Sequence, residues 1–282
     1  MENKEPKFVS LVSDTTFKYL WKNEKTKGWF VDIIKNKTGM DLSDFELVDN
    51  EVNSGSSVKD QRNDLVLTDF KNEIVIIEMN SSYSISEERK YRYYLYRRAG
   101  NNYLTGKNYN EEKHTTLIAF NNYIKSEISD VKVLNSWFGV HDLNIKYNDI
   151  EMYEIYLPNF HKICYHECNE IDKRLWLFGA KDYQEMHENI KDDSNLYIVE
   201  ELERLSMNDN FIDEYDYEIV QKKLANSYKI EGYEEGLSKG EALGEKNKQL
   251  EIAKKMLGKK SDIDFICECT GLSIDEVNDL KV

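Results

Sequence analysis

Two short segments rich in β-branched residues, separated by a turn, constrain this chain more than any other feature. They comprise residues 63–68 and 73–80, and the four residues between them are mostly polar. Two such segments on either side of a short turn predict an antiparallel hairpin. The side chains inside the hairpin are apolar, so we expect it to pack in the core of the protein.

The predicted hairpin carries one carboxylate near the end of each strand, Asp64 and Glu78. Asp69 and Glu73 flank the turn. Asp64 lies five residues before Asp69 and Glu78 lies five residues after Glu73, so the two carboxylates are expected to face one another. Two carboxylates on one side of a hairpin can share a divalent cation, and hard oxygen ligands suit Mg²⁺ or Mn²⁺. Because buried acids are costly without a partner, this position favours a metal site. The alternative is a pair of acids that are simply solvated at strand ends.

The net charge of −15 is unfavourable for a protein that binds nucleic acid, but it is unevenly distributed. Residues 1–125 contain 19 basic and 19 acidic side chains. Subtraction from the totals of 38 and 53 leaves 19 basic against 34 acidic side chains in residues 126–282. Attraction to phosphate depends on the local field rather than on the chain total. The second half is therefore excluded as a nucleic-acid face, and the first half is not.

The first 125 residues predict the element order α-β-β-β-α-β. A helix capped at Ser13 and Asp14 is expected to end at Gly39, with a point of interruption at Gly28. A strand follows at 45–52, then the hairpin, a helix at 86–103 and a strand at 115–120. The fold class is therefore α/β.

The rest of the chain is mainly helical and acidic, with one more strand at 151–157 and helices around 170–190, 194–207 and 211–229. We divide the chain into a core (1–125), a mixed continuation (126–227), a helix with a glycine at every fourth position (228–258) and a small helical tail (259–282). Residues 262–282 carry six acids against one base, which excludes a DNA-recognition helix in the tail.

Glycines recur at positions 232, 236, 240 and 244 and form a stripe along one face of a helix. Each costs about 1 kcal/mol relative to alanine. This repeated cost favours a close helix–helix contact, as in a homo-oligomer. The alternative is a flexible, charged linker.

Other features exclude several classes of protein. The amino terminus has no apolar signal segment, and four cysteines in 282 residues do not indicate a disulfide scaffold. We expect a cytoplasmic protein with reduced thiols and no membrane partner.

Four potential zinc ligands lie close together without a known zinc spacing, and Cys267 and Cys269 are too close for an ordinary site. The four are His161, Cys164, His166 and Cys168.

The predicted helix at 86–103 alternates cationic and aromatic residues. Arginine can contact phosphate while tyrosine packs or stacks, so the helix is a candidate DNA-contacting element. Arg89, Tyr93 and Tyr96 share one face, which we expect to lie toward the metal site. The alternative is a core-packing helix with a charged outer face. The cations are Arg89, Lys90, Arg92, Arg97 and Arg98, and the tyrosines are Tyr91, Tyr93, Tyr94 and Tyr96.

Several short motifs occur in a fixed order along the chain. They are Asp14-x-x-Phe17-Lys18, Lys59-x-x-Arg62-x-Asp64, Glu78-Met79-Asn80, Arg89-x-x-x-Tyr93 and Gly106-x-x-Tyr109. In this order they resemble the PD-(D/E)XK nuclease family transposases, also called recombination-promoting nucleases. The glycine-per-four helix and residues 252–257 and 270–272 are similar to the carboxyl-terminal tail of that family.

The resemblance implies a restriction-endonuclease-like core, a mixed sheet in α-β-β-β-α-β order flanked by helices, with an acidic helical carboxyl-terminal extension. It also implies a Mg²⁺-dependent DNA endonuclease in which a metal-activated water attacks the phosphodiester. Asp64 and Glu78 would hold the metal, and Asp14 would hold a metal-bound water or merely cap its helix.

The third active-site position departs from the family. Most of the superfamily has lysine there and this branch usually has glutamine, whereas this chain has Asn80. Asparagine keeps the amide but is about 1.5 Å shorter. Lys59, Arg62, Arg89 and Tyr93 would contact the DNA. The alternative is a catalytically weak or inactive nuclease-fold protein that binds DNA or another protein.

Overall fold

The computed structural model describes residues 6–48, 51–52, 61–62, 65–69, 73–103, 114–191 and 194–280. The chain forms two compact units, Met1–Glu218 and Ile219–Val282. The first unit contains every strand that the structure describes. Within the described ranges, no helix combines the length and the apolar character that crossing a membrane requires.

The first two helices begin and end at capping residues. Helix α1 (Asp14–Lys22) starts at Ser13, whose side chain accepts a hydrogen bond from the Thr16 N–H. Helix α2 (Glu24–Thr38) ends at Gly39, which has a left-handed φ of 79°. The prediction that Gly28 interrupts this region is wrong. The break lies at Asn23, because its side chain caps α2 by accepting from the Lys25 N–H.

The sheet has six strands in the order β1-β4-β5-β6-β8-β7, and β2 and β3 form a separate pair. The strand predicted at 45–52 is therefore two strands, since β1 pairs with β4 and β2 pairs with β3. The strands are β1 (Glu46–Leu47), β2 (Glu51–Val52), β3 (Gln61–Arg62), β4 (Leu65–Thr68), β5 (Ile74–Asn80), β6 (Thr115–Asn121), β7 (Val133–Val140) and β8 (Ile145–Tyr156).

The predicted hairpin is confirmed in its described part. Strands β4 and β5 are antiparallel, with Leu65 opposite Ile77 and Thr68 opposite Ile74. These pairs have the register on which the pairing of positions 64 and 78 was predicted. Asp64 itself lies outside the described residues.

Helix α3 (Ile85–Tyr103) connects β5 to β6, and these two strands are parallel. A parallel pair requires such a crossover. The predicted α/β class is therefore confirmed. The predicted α-β-β-β-α-β order is simpler than the observed one, because two helices come first and five described strands precede α3. Strand β8 adds in parallel to β6, and β7 adds antiparallel to β8.

Both faces of the parallel strands are covered, as their continuous apolar sequence requires. On one face, α1 and α2 contribute an aromatic cluster in which the Phe17 ring lies 5.3 Å from Phe30 and 5.7 Å from Phe120. On the other face, Tyr91 and Leu95 of α3 pack on Ile76, Leu117, Ala119 and Met152.

The remaining α-helices are α4 (Pro158–His161), α5 (Glu170–Trp176), α6 (Tyr183–Ile190), α7 (Leu196–Ser206), α8 (Asp209–Gly258), α9 (Ile263–Thr270) and α10 (Ile274–Asp279). Helices α4 to α7 and the first residues of α8 complete the first unit. The rest of α8 and helices α9 and α10 form the second unit. In the second unit, Ala253 packs with Ile266, Leu272 and Val277. The tail predicted to be helical forms two short helices, and Gly271 ends α9 with a φ of 69°.

The four regularly spaced glycines lie inside α8. This segment is helical, so the linker alternative is wrong. A Cβ atom added at any of them meets nothing within 4 Å among the described residues. The chain's own packing therefore does not explain them, and self-association through this stripe stays a prediction.

We predict that Gly236→Ala and Gly240→Ala each raise the unfolding free energy of the second unit by about 1 kcal/mol, because alanine is the better helix former and its methyl group meets no neighbour. Thermal unfolding at low protein concentration measures this, with sedimentation velocity as the readout of association. Gly271→Ala serves as the matched control and should destabilise the unit, since its φ is left-handed. Destabilisation by the α8 substitutions would contradict the prediction.

Candidate functional site

A row of three residues in register crosses the parallel strands near their carboxyl ends. Glu78 on β5 pairs with Ala119 on β6, and Ala119 pairs with Glu154 on β8. Residues in register on parallel strands project from the same face, here the face covered by α3. Because neighbouring strands are about 4.8 Å apart, the two acidic residues are separated by about 10 Å at the backbone. The residue between the two acids is the small, fully buried Ala119.

Both carboxylates are removed from bulk water. Glu78 is 6% exposed and Glu154 is 1% exposed. A buried carboxylate requires compensating charges or hydrogen bonds. The two acids are therefore the features of this face that most require an explanation.

Glu154 is compensated by three donors that converge on its Oε1 atom. The hydroxyl groups of Tyr91 and Tyr156 donate at 3.2 and 3.0 Å, and the Lys125 Nζ donates at 3.0 Å. Lys125 also lies 3.4 Å from a carboxylate oxygen of Glu88, and its side chain is 12% exposed. The site therefore contains a shielded cation held between two acids.

The phenols around Glu154 remain protonated. Burial raises the pKa of Tyr91 far above its usual value, and the negative charge of Glu154 raises it further. The same two causes raise the pKa of Tyr156, and burial raises the pKa of neighbouring Tyr123 to about 12. These hydroxyl groups act as hydrogen-bond donors to a carboxylate and are unsuited to act as bases.

Two amides form the next row toward the carboxyl ends of the strands. Asn80 pairs in register with Asn121, and its Nδ2 donates to the Asn121 Oδ1 at 2.9 Å. Asn121 is fully buried, and its Nδ2 has no acceptor among the residues that the structure describes. A buried donor of this kind calls for an acceptor such as a water or a ligand oxygen.

Helix α3 covers the site with a different face from the one predicted. Tyr91, Leu95 and Ala99 are each 3% exposed and face the sheet, whereas Tyr93 is 48% exposed. Arg89 and Tyr96 are also exposed. The prediction that Arg89, Tyr93 and Tyr96 lie toward the metal site is therefore wrong, because the apolar residues spaced by four take the inner face. The exposed face remains open to a partner.

Asp14 lies in the first turn of α1, on the face of the sheet opposite to Glu78. Its backbone N–H donates to the carboxylate of Glu218 at 3.1 Å, and the Thr15 N–H donates to the same group at 2.9 Å. A cavity of about 260 Å³ beside Asp14 is lined by residues of α1 and α8. The cap of the helix is Ser13 rather than Asp14.

Several predicted residues fall outside what the structure describes. Asp64 and Lys59 are outside the described residues, and of Arg62 only the backbone, in β3, is described. Within the described ranges, no group of three or more His, Cys, Asp or Glu side chains has the arrangement of a metal site. A metal site at Glu78 therefore depends on Asp64 as the second carboxylate ligand.

The four possible zinc ligands do not form a metal-binding group among the described residues. The His161 ring packs on Trp176 at 4.2 Å, and its Nδ1 lies 3.1 Å from the Trp176 carbonyl oxygen. Cys164 is exposed, and all four cysteines are free thiols. The packing of His161 on Trp176 explains its position without a metal.

The sequence prediction missed Glu154 and Lys125. Strand alternation in the segment 151–157 gives a signal for Glu154, since it places this acid on the same face as Met152 and Tyr156. Lys125 follows β6 in an irregular segment, and no local pattern singles it out.

Comparisons of the chain with protein-family models, with curated proteins and with solved structures find no significant match.

We predict that Lys125→Met lowers the free energy of unfolding by about 3 kcal/mol, because it leaves the Glu154 carboxylate buried without its cation. Chemical denaturation measures the change. Lys181→Met, at an exposed lysine of the same unit, should change stability by less than about 0.5 kcal/mol. The double variant Lys125→Met with Glu154→Gln should recover part of the loss, and an unaltered single variant would contradict the ion pair.

Proposed function

We propose that this protein is a Mg²⁺- or Mn²⁺-dependent DNA endonuclease with a restriction-endonuclease-like core. The observation that carries the proposal is the position of Glu78, a buried carboxylate near the carboxyl end of a parallel strand, beside the small residue Ala119. The confirmed hairpin register and the α/β class support it.

Asp64 and Glu78 are the proposed metal ligands. Their hard oxygen atoms suit Mg²⁺ or Mn²⁺, and the buried Asn121 Nδ2 adds a donor for an oxygen ligand nearby. When bound, such a cation supplies an activated water and stabilises negative charge on the phosphate.

The remaining residues position the substrate. Asn80, held by Asn121, directs its amide toward the end of the strand and orients a reactant. Because Asn80 carries no charge, Lys125 is the cation that we assign to the phosphate side of the site. Lys59, Arg62, Arg89 and Tyr93 are the proposed contacts to the DNA backbone.

A second candidate function is a DNA- or protein-binding module that retains the nuclease scaffold. Two interactions favour this candidate. Asn80 is hydrogen-bonded to Asn121, and Lys125 forms ion pairs with two glutamates. A site whose polar groups satisfy one another needs no substrate to compensate them.

The first test is nicking of supercoiled plasmid in the presence of Mg²⁺. Glu78→Gln and Asp64→Asn should each reduce the rate on the order of 100-fold or more, since a catalytic metal supplies several kcal/mol. Glu188→Gln, at an exposed glutamate of α6, is the matched control and should cut like the parent protein. Equal cutting by all the variants would refute the assigned site.

The second test separates the two candidate functions by metal binding alone. Millimolar Mn²⁺ should raise the unfolding temperature of the parent protein and of Glu188→Gln, because a ligand that binds only the native state stabilises it. Glu78→Gln should lose most of this shift. If the parent protein shows no shift, the binding module is the better description.

A further inference from the structure

A cavity of about 580 Å³ lies beside the candidate site, between α3 and the outer strands of the sheet. Its inner surface is apolar, with Leu95, Ile150 and Met152. Aromatic residues also line it, namely Tyr96 on α3 and Trp137 and Phe138 on β7. A volume of this size accommodates a small organic group rather than a single water or ion.

The cavity and the candidate site share one face of the sheet. Met152 lines the cavity, and Glu154 lies two residues further along β8 on the same face. Two strand residues span about 7 Å. A group seated in the cavity is therefore about one nucleotide from the row that contains Glu78 and Glu154.

The aromatic residues at the mouth are unusually exposed. Tyr96 is 59% exposed and Phe138 is 70% exposed. Large exposed rings grouped around a cavity indicate a binding surface rather than a core. Tyr96 comes from the helix and Phe138 from the edge strand, so a group in the cavity can contact both rings.

The position of Trp137 is fixed by the backbone. A Cβ atom at Gly139 would lie 2.5 Å from the Trp137 ring and 2.1 Å from the Ile145 carbonyl oxygen. Only glycine permits this approach, which holds the indole on the face of the sheet that carries Glu151 and Lys146, opposite to Met152.

Charge at the rim matches a phosphate-linked ligand. Arg92 lines the cavity, and Arg89 and Lys90 are exposed one turn or less away on α3. Arg92 is paired with Glu88 in the free protein. A cationic rim around an aromatic slot is the combination that binds unpaired nucleotides, since bases stack and phosphates attract.

We infer that this cavity binds an unpaired nucleobase, so that the substrate is single-stranded or locally unpaired DNA. The inference rests on the proposed function, because it places the base next to the site assigned to the scissile phosphate. A duplex keeps its bases stacked inside, where Tyr96 and Phe138 do not reach them.

The test is binding of fluorescent oligonucleotides to the Glu78→Gln protein with chelator present, which removes cleavage from the readout. A thymidine dodecamer should bind more tightly than a duplex of the same length. Phe138→Ala and Tyr96→Ala should each weaken binding of the single strand about 10-fold and change duplex binding less than about 2-fold. Tyr217→Ala, at a 68% exposed tyrosine of the same unit, is the matched control and should change neither.

Three outcomes would overturn the inference. One is the absence of any preference for the single strand. Another is equal loss of single-strand and duplex binding on Phe138→Ala. The third is a dimer by mass photometry that Phe138→Ala dissociates without altering oligonucleotide binding, which would assign the β7 face to a second copy of the chain.

The same experiment separates this inference from the endonuclease proposal. Binding that depends on Phe138 in a protein that does not cut plasmid would retain the cavity as a nucleotide site and refute the nuclease. Cutting by the parent protein with no effect of Phe138→Ala on binding would retain the nuclease and refute the cavity.

Discussion

The in-register parallel pairing of β5, β6 and β8 is the constraint on which the rest of the structure depends. It brings Glu78, Ala119 and Glu154 from distant parts of the chain into one row and sets Asn80 beside Asn121 in the next. It also requires a crossover connection, which α3 provides. The helix covers the apolar part of the same face, and its Tyr91 hydroxyl group reaches Glu154 in the first of these rows.

The two acids of the first row are held in different ways. Glu154 has its own cation and two neutral phenols, so it is a stable structural element that also holds Lys125 in place. Glu78 lies two strands away, and the hairpin register predicts Asp64 as its neighbour. In the proposed function, Asp64 and Glu78 bind a divalent cation, whereas Glu154 and Glu88 share Lys125.

Local signals predicted much of the fold. The hairpin register followed from the turn, and Gly39 and Gly271 marked helix ends because left-handed backbone favours glycine. Strand β7 was missed because its bulge at residues 137–139 breaks the alternation. The partnership of Glu154 with Lys125 and Tyr91 was not predictable, since it depends on strand order rather than on local sequence. The inner face of α3 was misjudged because Leu95 and Ala99, rather than the arginines, decide its orientation.

The most direct test of the central claim is a crystal structure with Mn²⁺ and its anomalous scattering. We predict one strong peak within about 2.2 Å of carboxylate oxygens of both Glu78 and Asp64, a distance typical of a small divalent ion. We also predict that Lys125 stays on Glu154. The absence of a peak at millimolar Mn²⁺, or a Glu78 paired with a cationic side chain in place of the metal, would contradict the proposed metal site.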